Sequence, residues 1–350
     1  MRRRYATVFL MPELPEVETV VRGLRPVLPG RSIVAVRLGK TDFIDDPAAL
    51  GEVLPGKRIV GIERIGKFIH LALAPAAKPA LEPAAEPPAE HAAVKSASQS
   101  ASPESAANSE SRINLMVHLG MTGRLSVREA NEPPAPHTHV FFELDDGREL
   151  RYTDVRRFGR ILLVPEPMMA AFRGQLGADA LRISVADFRR QLAKRRARIK
   201  ALLLDQRVFR GLGNIYADES LWQARIHPAR LAAGLSGAEL ARLRQAIGQV
   251  LRAAIRHRGS SISNFVDAEG NAGSYQQRHR AYGREGLPCF RCGTLIRRAI
   301  VAGRSSFFCP RCQRAPRAKR ARSGKVSRHH PGRKTTARKK DNRARRQITA

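Results

Sequence analysis

Acidic residues are scarce in this chain beside basic ones. Its 350 residues hold 31 Asp and Glu against 63 Lys and Arg, a formal charge of +32 at neutral pH. So basic a surface attracts polyanions, of which nucleic acid is the commonest, although a ribosomal or merely soluble basic protein has the same composition. Part of the excess is local: residues 313–350 carry 15 Lys or Arg against Asp341 alone, a net +14. That tail (residues 314–350) is low in apolar residues and is expected to be disordered, adding non-specific, salt-dependent affinity for nucleic acid.

Cysteine is almost absent too. The only four, Cys289, Cys292, Cys309 and Cys312, fall in one short segment, which excludes a disulfide framework spread along the chain. Two CxxC pairs at this spacing fit a tetrahedral zinc site. No apolar run is long enough to span a bilayer. The opening Met1-Arg2-Arg3-Arg4 and the short apolar stretch after it lack the small-residue cleavage site of a signal peptide, so the expectation is an intracellular protein. From residue 75 to 112 aromatic and branched apolar residues nearly vanish in favour of Ala, Pro, Ser and Glu. Such a segment cannot bury enough surface to order itself, and it reads as a disordered surface insertion between two strands.

What the chain does have is organised around Met11-Pro12-Glu13-Leu14-Pro15-Glu16-Val17-Glu18-Thr19. If translation starts at Met11 and that methionine is trimmed, Pro12 presents a secondary α-amine. An amine titrating near pH ~8 is partly neutral under physiological conditions and attacks electrophilic carbon to give an iminium. Glu13, one residue away, is placed to handle protons. With the preceding residues retained, the Pro12 nitrogen would be a tertiary amide without a nucleophilic lone pair. Residues 1–11 are therefore expected to be a misannotated or removed extension.

About two domains are expected for this length. Residues 16–28 read as a helix, and residues 32–38 and 58–73 alternate as strands, with Pro55-Gly56 as a turn. Lys67 interrupts the second run, and by itself reads as a solvent-facing strand residue. Met121, between Gly120 and Gly123, suits an apolar wedge that fills the gap left by an extruded nucleotide, or ordinary packing. A hairpin crosses Asp145-Asp146-Gly147. Pro136-His137-Thr138-His139 offers two histidines, too few to argue for a metal. From Ser184 the pattern turns helical, with capping boxes at Ser184/Asp187 and Ser236/Glu239. The first of these helices is read as carrying Lys194, Arg195, Arg196, Arg198 and Lys200 on a charged face. Arg210-Gly211-Leu212-Gly213-Asn214 is a glycine turn opening into a helix, where backbone amides and the Asn214 side chain would hold phosphate. Residues 266–277, rich in Gly, Asn, Asp and Ser, read as a connector. The cysteine knuckles hold a hairpin with its turn at Ala302-Gly303-Arg304-Ser305, a unit too small to fold without metal.

The blocks Met11–Thr19, His118-Leu119-Gly120-Met121-Thr122-Gly123, Tyr152-Thr153-Asp154-Val155-Arg156-Arg157-Phe158-Gly159, Gly211–Glu219 and the zinc knuckles occur in the order seen in bacterial formamidopyrimidine-DNA glycosylases, which the chain resembles from Pro12 to Gln313 apart from the insertion over residues 75–112. One departure is Val155, where that family usually has proline. The resemblance implies an α+β fold. Its parts would be a catalytic β-sandwich domain with flanking helices over 12–165, a helix-two-turn-helix domain over 183–275 and a zinc finger over 276–313. It also implies removal of oxidised purines from double-stranded damaged DNA, followed by strand cleavage through β,δ-elimination. Pro12 would be the nucleophile and Glu13 the acid/base. Lys67 and Arg304 would support elimination and bind phosphate, and Glu16 would line the base pocket. Met121, Arg156 and Phe158 would fill the vacated stack, His137, Arg195 and Asn214 would contact DNA, and residues 266–277 would close over the base. A single structural zinc, a monomer and a cytoplasmic, nucleoid-associated location are expected. The alternatives are a sister glycosylase for oxidised pyrimidines and, were the extension retained, a non-catalytic protein that binds damaged DNA.

Overall fold

The computed structural model describes residues 12–76, 112–262 and 265–315. The leading extension lies wholly, and the expected insertion and basic tail lie almost wholly, outside these. The first element among the described residues is helix α1 (Leu14–Leu24). Its start is fixed by Pro15 in the first turn and by the Glu13 backbone N–H, which donates to Glu16 Oε2 at 2.9 Å. The helix begins two residues earlier than its apolar spacing indicates, because this cap, not the spacing, sets the boundary.

Strand β1 (Ser32–Leu38), helix α2 (Pro47–Val53), and strands β2 (Lys57–Ile65), β3 (Phe68–Pro75), β4 (Ile113–His118), β5 (Arg124–Glu129), β6 (Thr138–Leu144), β7 (Arg148–Thr153) and β8 (Arg160–Pro165) follow. They pair in the order β5-β7-β6-β1-β2-β3-β4-β8. At the centre β1 and β2 share only the pairs Ser32–Arg58 and Ile33–Lys57, so the ladder divides into two four-stranded halves. Val140, Phe142 and Leu150 of one half share a core with Ile69, Leu71 and Val117 of the other, and the result is a β-sandwich. The run over residues 58–73 is two strands, not one. It breaks at a Gly66-Lys67 turn, where Gly66 takes φ +64°, a conformation that favours glycine.

Helix α3 (Glu166–Gly174) and short strand β9 (Ala178–Asp179) lead into a helical lobe of α4 (Val185–Leu192), α5 (Ile199–Leu204), β10 (Phe209–Arg210), α6 (Asn214–Gln223) and α7 (Gly237–Arg256). Ser184 and Ser236 cap α4 and α7, accepting from Asp187 N at 3.0 Å and Glu239 N at 3.2 Å. The basic run does not ride on one helix: α4 ends at Leu192, and Lys200 lies on α5 with no exposed surface. The last element among the described residues is a hairpin, β11 (Arg297–Val301) and β12 (Arg304–Phe308), which carries the cysteine knuckles. Among the described residues no helix is long and apolar enough to cross a membrane.

The amino-terminal stretch sits at the seam. Leu14 belongs to the core of the helical lobe, whereas Val17, Val20, Val21 and Leu24 belong to that of the sandwich. Leu14 N donates to Gly211 O at 3.0 Å, which fastens the seam to the turn ahead of α6.

Candidate active site

Pro12, Glu13 and Glu16 are all buried at this seam. Glu13 points its carboxylate at the start of α6 and accepts from Ile215 N at 2.9 Å and Tyr216 N at 3.4 Å. Unpaired amides and the helix dipole favour an anion there. The amides expected to hold phosphate are thus already occupied by Glu13. Gly213 makes the approach feasible, since a Cβ on it would collide with the Glu13 carboxyl. Burial nevertheless dominates and raises the Glu13 pKa, against the opposing pull of Lys67 and the helix amides.

Glu16 is anchored on both oxygens. Oε2 accepts from Glu13 N at 2.9 Å, and Oε1 accepts from Ser260 N at 2.8 Å and from the Tyr216 hydroxyl. Tyr216 Oη also meets Ser260 Oγ at 3.1 Å, and Ser260 Oγ meets His279 Nε2 at 3.1 Å. Four side chains from four segments are thereby tied to the peptide next to Pro12. Burial and the Glu13 charge push Glu16 up to about 7. Neither Ser260 nor His279 stands in a recognisable sequence motif, and sequence reasoning did not single them out.

Lys67 is buried in the β2–β3 turn, not on a solvent-facing strand position. Burial lowers its pKa, while the charges of Glu13 and Glu16 oppose that shift and Arg304 adds to it. Lys67 therefore feels three charges across the seam, brought from an amino-terminal segment and a carboxyl-terminal hairpin far from it in sequence. His118 lies against Phe68, ring centroids 5.1 Å apart, and is held near 3 by burial and by the charges of Lys67 and Arg160. Arg304 opens β12. The turn before it is Ala302-Gly303, with φ +53° and +72°, so the hairpin is tighter than the four-residue turn expected.

Met121 and the 154–159 loop are brought together by Asp154, which is wholly buried. Asp154 accepts from the Thr122 hydroxyl, from Tyr152 Oη at 3.1 Å and from Gly159 N at 2.9 Å. Arg156 N donates to Thr122 Oγ1 at 3.1 Å, and its guanidinium lies 4.6 Å from the centroid of the exposed Phe158 ring. Gly120, at φ +62°, backs directly onto Phe158 and Gly159, where a Cβ would collide. Met121 is half-buried. An arginine, an exposed ring and a methionine thus share one rim.

The other expected DNA contacts lie further out. His137 is exposed at φ +66°, and neither it nor His139 joins a metal-binding group among the described residues. Arg195 is exposed, with its Nε on Gln191 O at 3.0 Å at the end of α4. Asn214, the first residue of α6, has a buried Oδ1 without a hydrogen-bond partner among the described residues. In the loop over residues 266–277, Ala268 packs on the sandwich core.

The four Sγ atoms of Cys289, Cys292, Cys309 and Cys312 all lie within 4.8 Å of one another. Four thiolates at Zn–S distances of about 2.3 Å require separations of about this size, so the donor set fits zinc and leaves no position open for water. The hairpin holds one structural zinc. One of its links to the helical lobe runs through Asp218 on α6, which accepts from Phe307 N at 2.9 Å and pairs with the buried Lys200 Nζ at 2.7 Å.

Buried carboxylates and a lysine gathered at a β-sandwich seam, with a basic helical lobe and a zinc hairpin behind them, define an enzyme that acts on nucleic acid. Residues 11–161 match the formamidopyrimidine-DNA glycosylase N-terminal domain, residues 176–266 its H2TH domain, and residues 286–315 a zinc finger found in FPG and IleRS. The formamidopyrimidine-DNA glycosylase of Pelotomaculum thermopropionicum is 40% identical over 310 residues, covering 87% of this chain and 99% of that protein. That of Herpetosiphon aurantiacus is 41% identical over 308 residues, covering 87% and 100%. The solved complex of Lactococcus lactis Fpg with abasic-site DNA superposes with a TM-score of 0.71 at 30% identity, covering 87% of this chain and 100% of that one. The chain belongs to the formamidopyrimidine-DNA glycosylase family and is a DNA glycosylase of base excision repair.

Proposed function

We propose that the enzyme removes oxidised purines, 8-oxoguanine and formamidopyrimidines, from duplex DNA and then cleaves the strand, acting as a monomer whose active form begins at Pro12. The observation that carries this reading is the buried Glu13 carboxyl, one residue from Pro12 and facing Lys67, with its pKa raised. The Pro12 amine attacks the anomeric carbon as the base departs, and the Glu13 carboxyl then delivers its proton to the deoxyribose ring oxygen as the C1′–O4′ bond breaks, opening the sugar to an iminium. The resulting iminium acidifies the neighbouring C–H, and successive β- and δ-eliminations release both phosphates. Burial of Lys67 makes its ammonium easier to deprotonate for proton transfer, and Arg304 offers a cation to the departing phosphate. Glu16, held on both oxygens, orients the Pro12–Glu13 peptide at the floor of the base pocket.

Met121, Arg156 and Phe158 fill the stack that the extruded nucleotide leaves, the guanidinium facing the orphaned base. His137, Arg195 and Asn214 contact the phosphate backbone. Single-turnover digestion of an 8-oxoguanine duplex tests the reading: it expects a gap with phosphates at both ends. A free abasic strand as the only product would restrict the enzyme to glycosylase chemistry, and faster excision of an oxidised pyrimidine would favour the alternative substrate class.

A further inference from the structure

Helix α6 has two partners that its sequence does not announce. At its amino end it holds the Glu13 carboxylate, and at its carboxyl end Trp222 Nε1 donates to Cys289 Sγ at 3.4 Å, within reach for a sulfur acceptor. Trp222 is the only tryptophan of the chain, and its surface is 9% exposed. Its place is fixed from outside by Arg291, whose guanidinium carbon lies 4.1 Å from the indole centroid and whose Nη1 donates to Trp222 O at 3.1 Å. Between the two ends, Asp218 accepts from Phe307 N, and Glu219 accepts from Ala281 N and Tyr282 N, both at 2.8 Å. One helix is thus bonded to the zinc hairpin and its lead-in at residues 218, 219 and 222, and to the candidate acid/base at residues 215 and 216.

We propose that Trp222 is an outer-sphere positioning residue of the zinc site: its indole N–H hydrogen-bonds the Cys289 thiolate and fastens the site to α6. A thiolate next to bound metal carries excess negative charge, and a donated N–H lowers the energy of its lone pairs and orients the sulfur. Partners in this position typically contribute ten- to a hundredfold to metal affinity. Arg291, stacked on the indole face, fixes the ring orientation that the bond needs and adds a cation–π contact.

The test uses the full chain loaded with Co2+ as a spectroscopic probe, and with Zn2+ in competition against a chromophoric chelator. In Trp222→Phe the volume is largely kept and the Asp218 and Glu219 anchors remain. The variant should nevertheless show the thiolate-to-cobalt charge-transfer band moved to longer wavelength, because the sulfur lone pairs rise in energy without the N–H. Zinc should be lost to the chelator at roughly tenfold lower competitor concentration. Arg291→Ala, which keeps the indole, should move both readouts in the same direction by less. A purely packing role would leave the band in place. An unmoved band in folded Trp222→Phe protein, or zinc affinity within about twofold of wild type, overturns the proposal. Should Trp222→Phe fail to fold, Arg291→Ala decides: an unshifted band there would likewise count against it.

Discussion

Removing the Asp218 carboxylate probes how the zinc hairpin is held against the helical lobe. Asp218 and Lys200 have no exposed side-chain surface and are paired at 2.7 Å. Asp218→Ala leaves the Lys200 ammonium buried without a counter-charge, a loss that typically costs about 3–5 kcal/mol. It also orphans the Phe307 N–H that donates to Asp218 at 2.9 Å, which adds roughly 1 kcal/mol or more. Wild-type domains have about 5–15 kcal/mol in total, so urea unfolding should show a large fall in the midpoint. Replacing both partners, as in Lys200→Met with Asp218→Leu, removes the unpaired charge and should recover most of the loss. What remains should reflect Phe307 N–H and Ser305 O, to which Lys200 donates at 2.8 Å. The double-mutant cycle therefore predicts strong positive coupling. An Asp218→Ala cost under about 1 kcal/mol, or a double variant no more stable than the single, would refute the reasoning.

Three further outcomes follow from the geometry. Gly213→Ala forces the Glu13 carboxylate off the α6 start, so excision should slow about a hundredfold while DNA binding persists; unchanged single-turnover rates would contradict the placement. Glu16 sits near 7 in the folded protein against an ordinary 4.5. The native state therefore binds more protons than the unfolded state between those values, and this group's contribution to stability falls as pH rises through that window. Urea midpoints of Glu16→Gln should decline less steeply than wild type over the same range, and parallel profiles would count against it. Asp154→Ala removes the acceptor shared by Thr122, Tyr152 and Gly159, so the rim should loosen and extrusion of a fluorescent base analogue should weaken; full extrusion would show that the clasp is dispensable.

Parts of this molecule are written in short stretches of sequence. The zinc knuckles are legible because four thiolates at fixed spacing leave few other readings. Ser184 and Ser236 announce their helices because a capping serine acts within three residues. Lys67 is different. Strand alternation places it facing solvent, and only the tertiary turn at Gly66 turns it toward Glu13 and Glu16 from another segment. Lys200 was concealed by its neighbours, since Lys194, Arg195, Arg196 and Arg198 make the whole run look like a solvated face. The turn ahead of α6 was legible as an anion site, but not that the anion would be the chain's own Glu13. Ser260 and His279 left no signal, because a hydrogen-bonded chain through Tyr216 to Glu16 joins residues more than two hundred positions apart.

The central claim is that a free Pro12 amine, assisted by Glu13, is the nucleophile. Borohydride trapping on duplex DNA containing 8-oxoguanine tests it directly, comparing the 350-residue chain with a form started at Met11 and trimmed to Pro12. A covalent adduct is expected from the Pro12 form alone, mapped to that residue and abolished by acetylation of the amine. Tight DNA binding without an adduct from either form would contradict it.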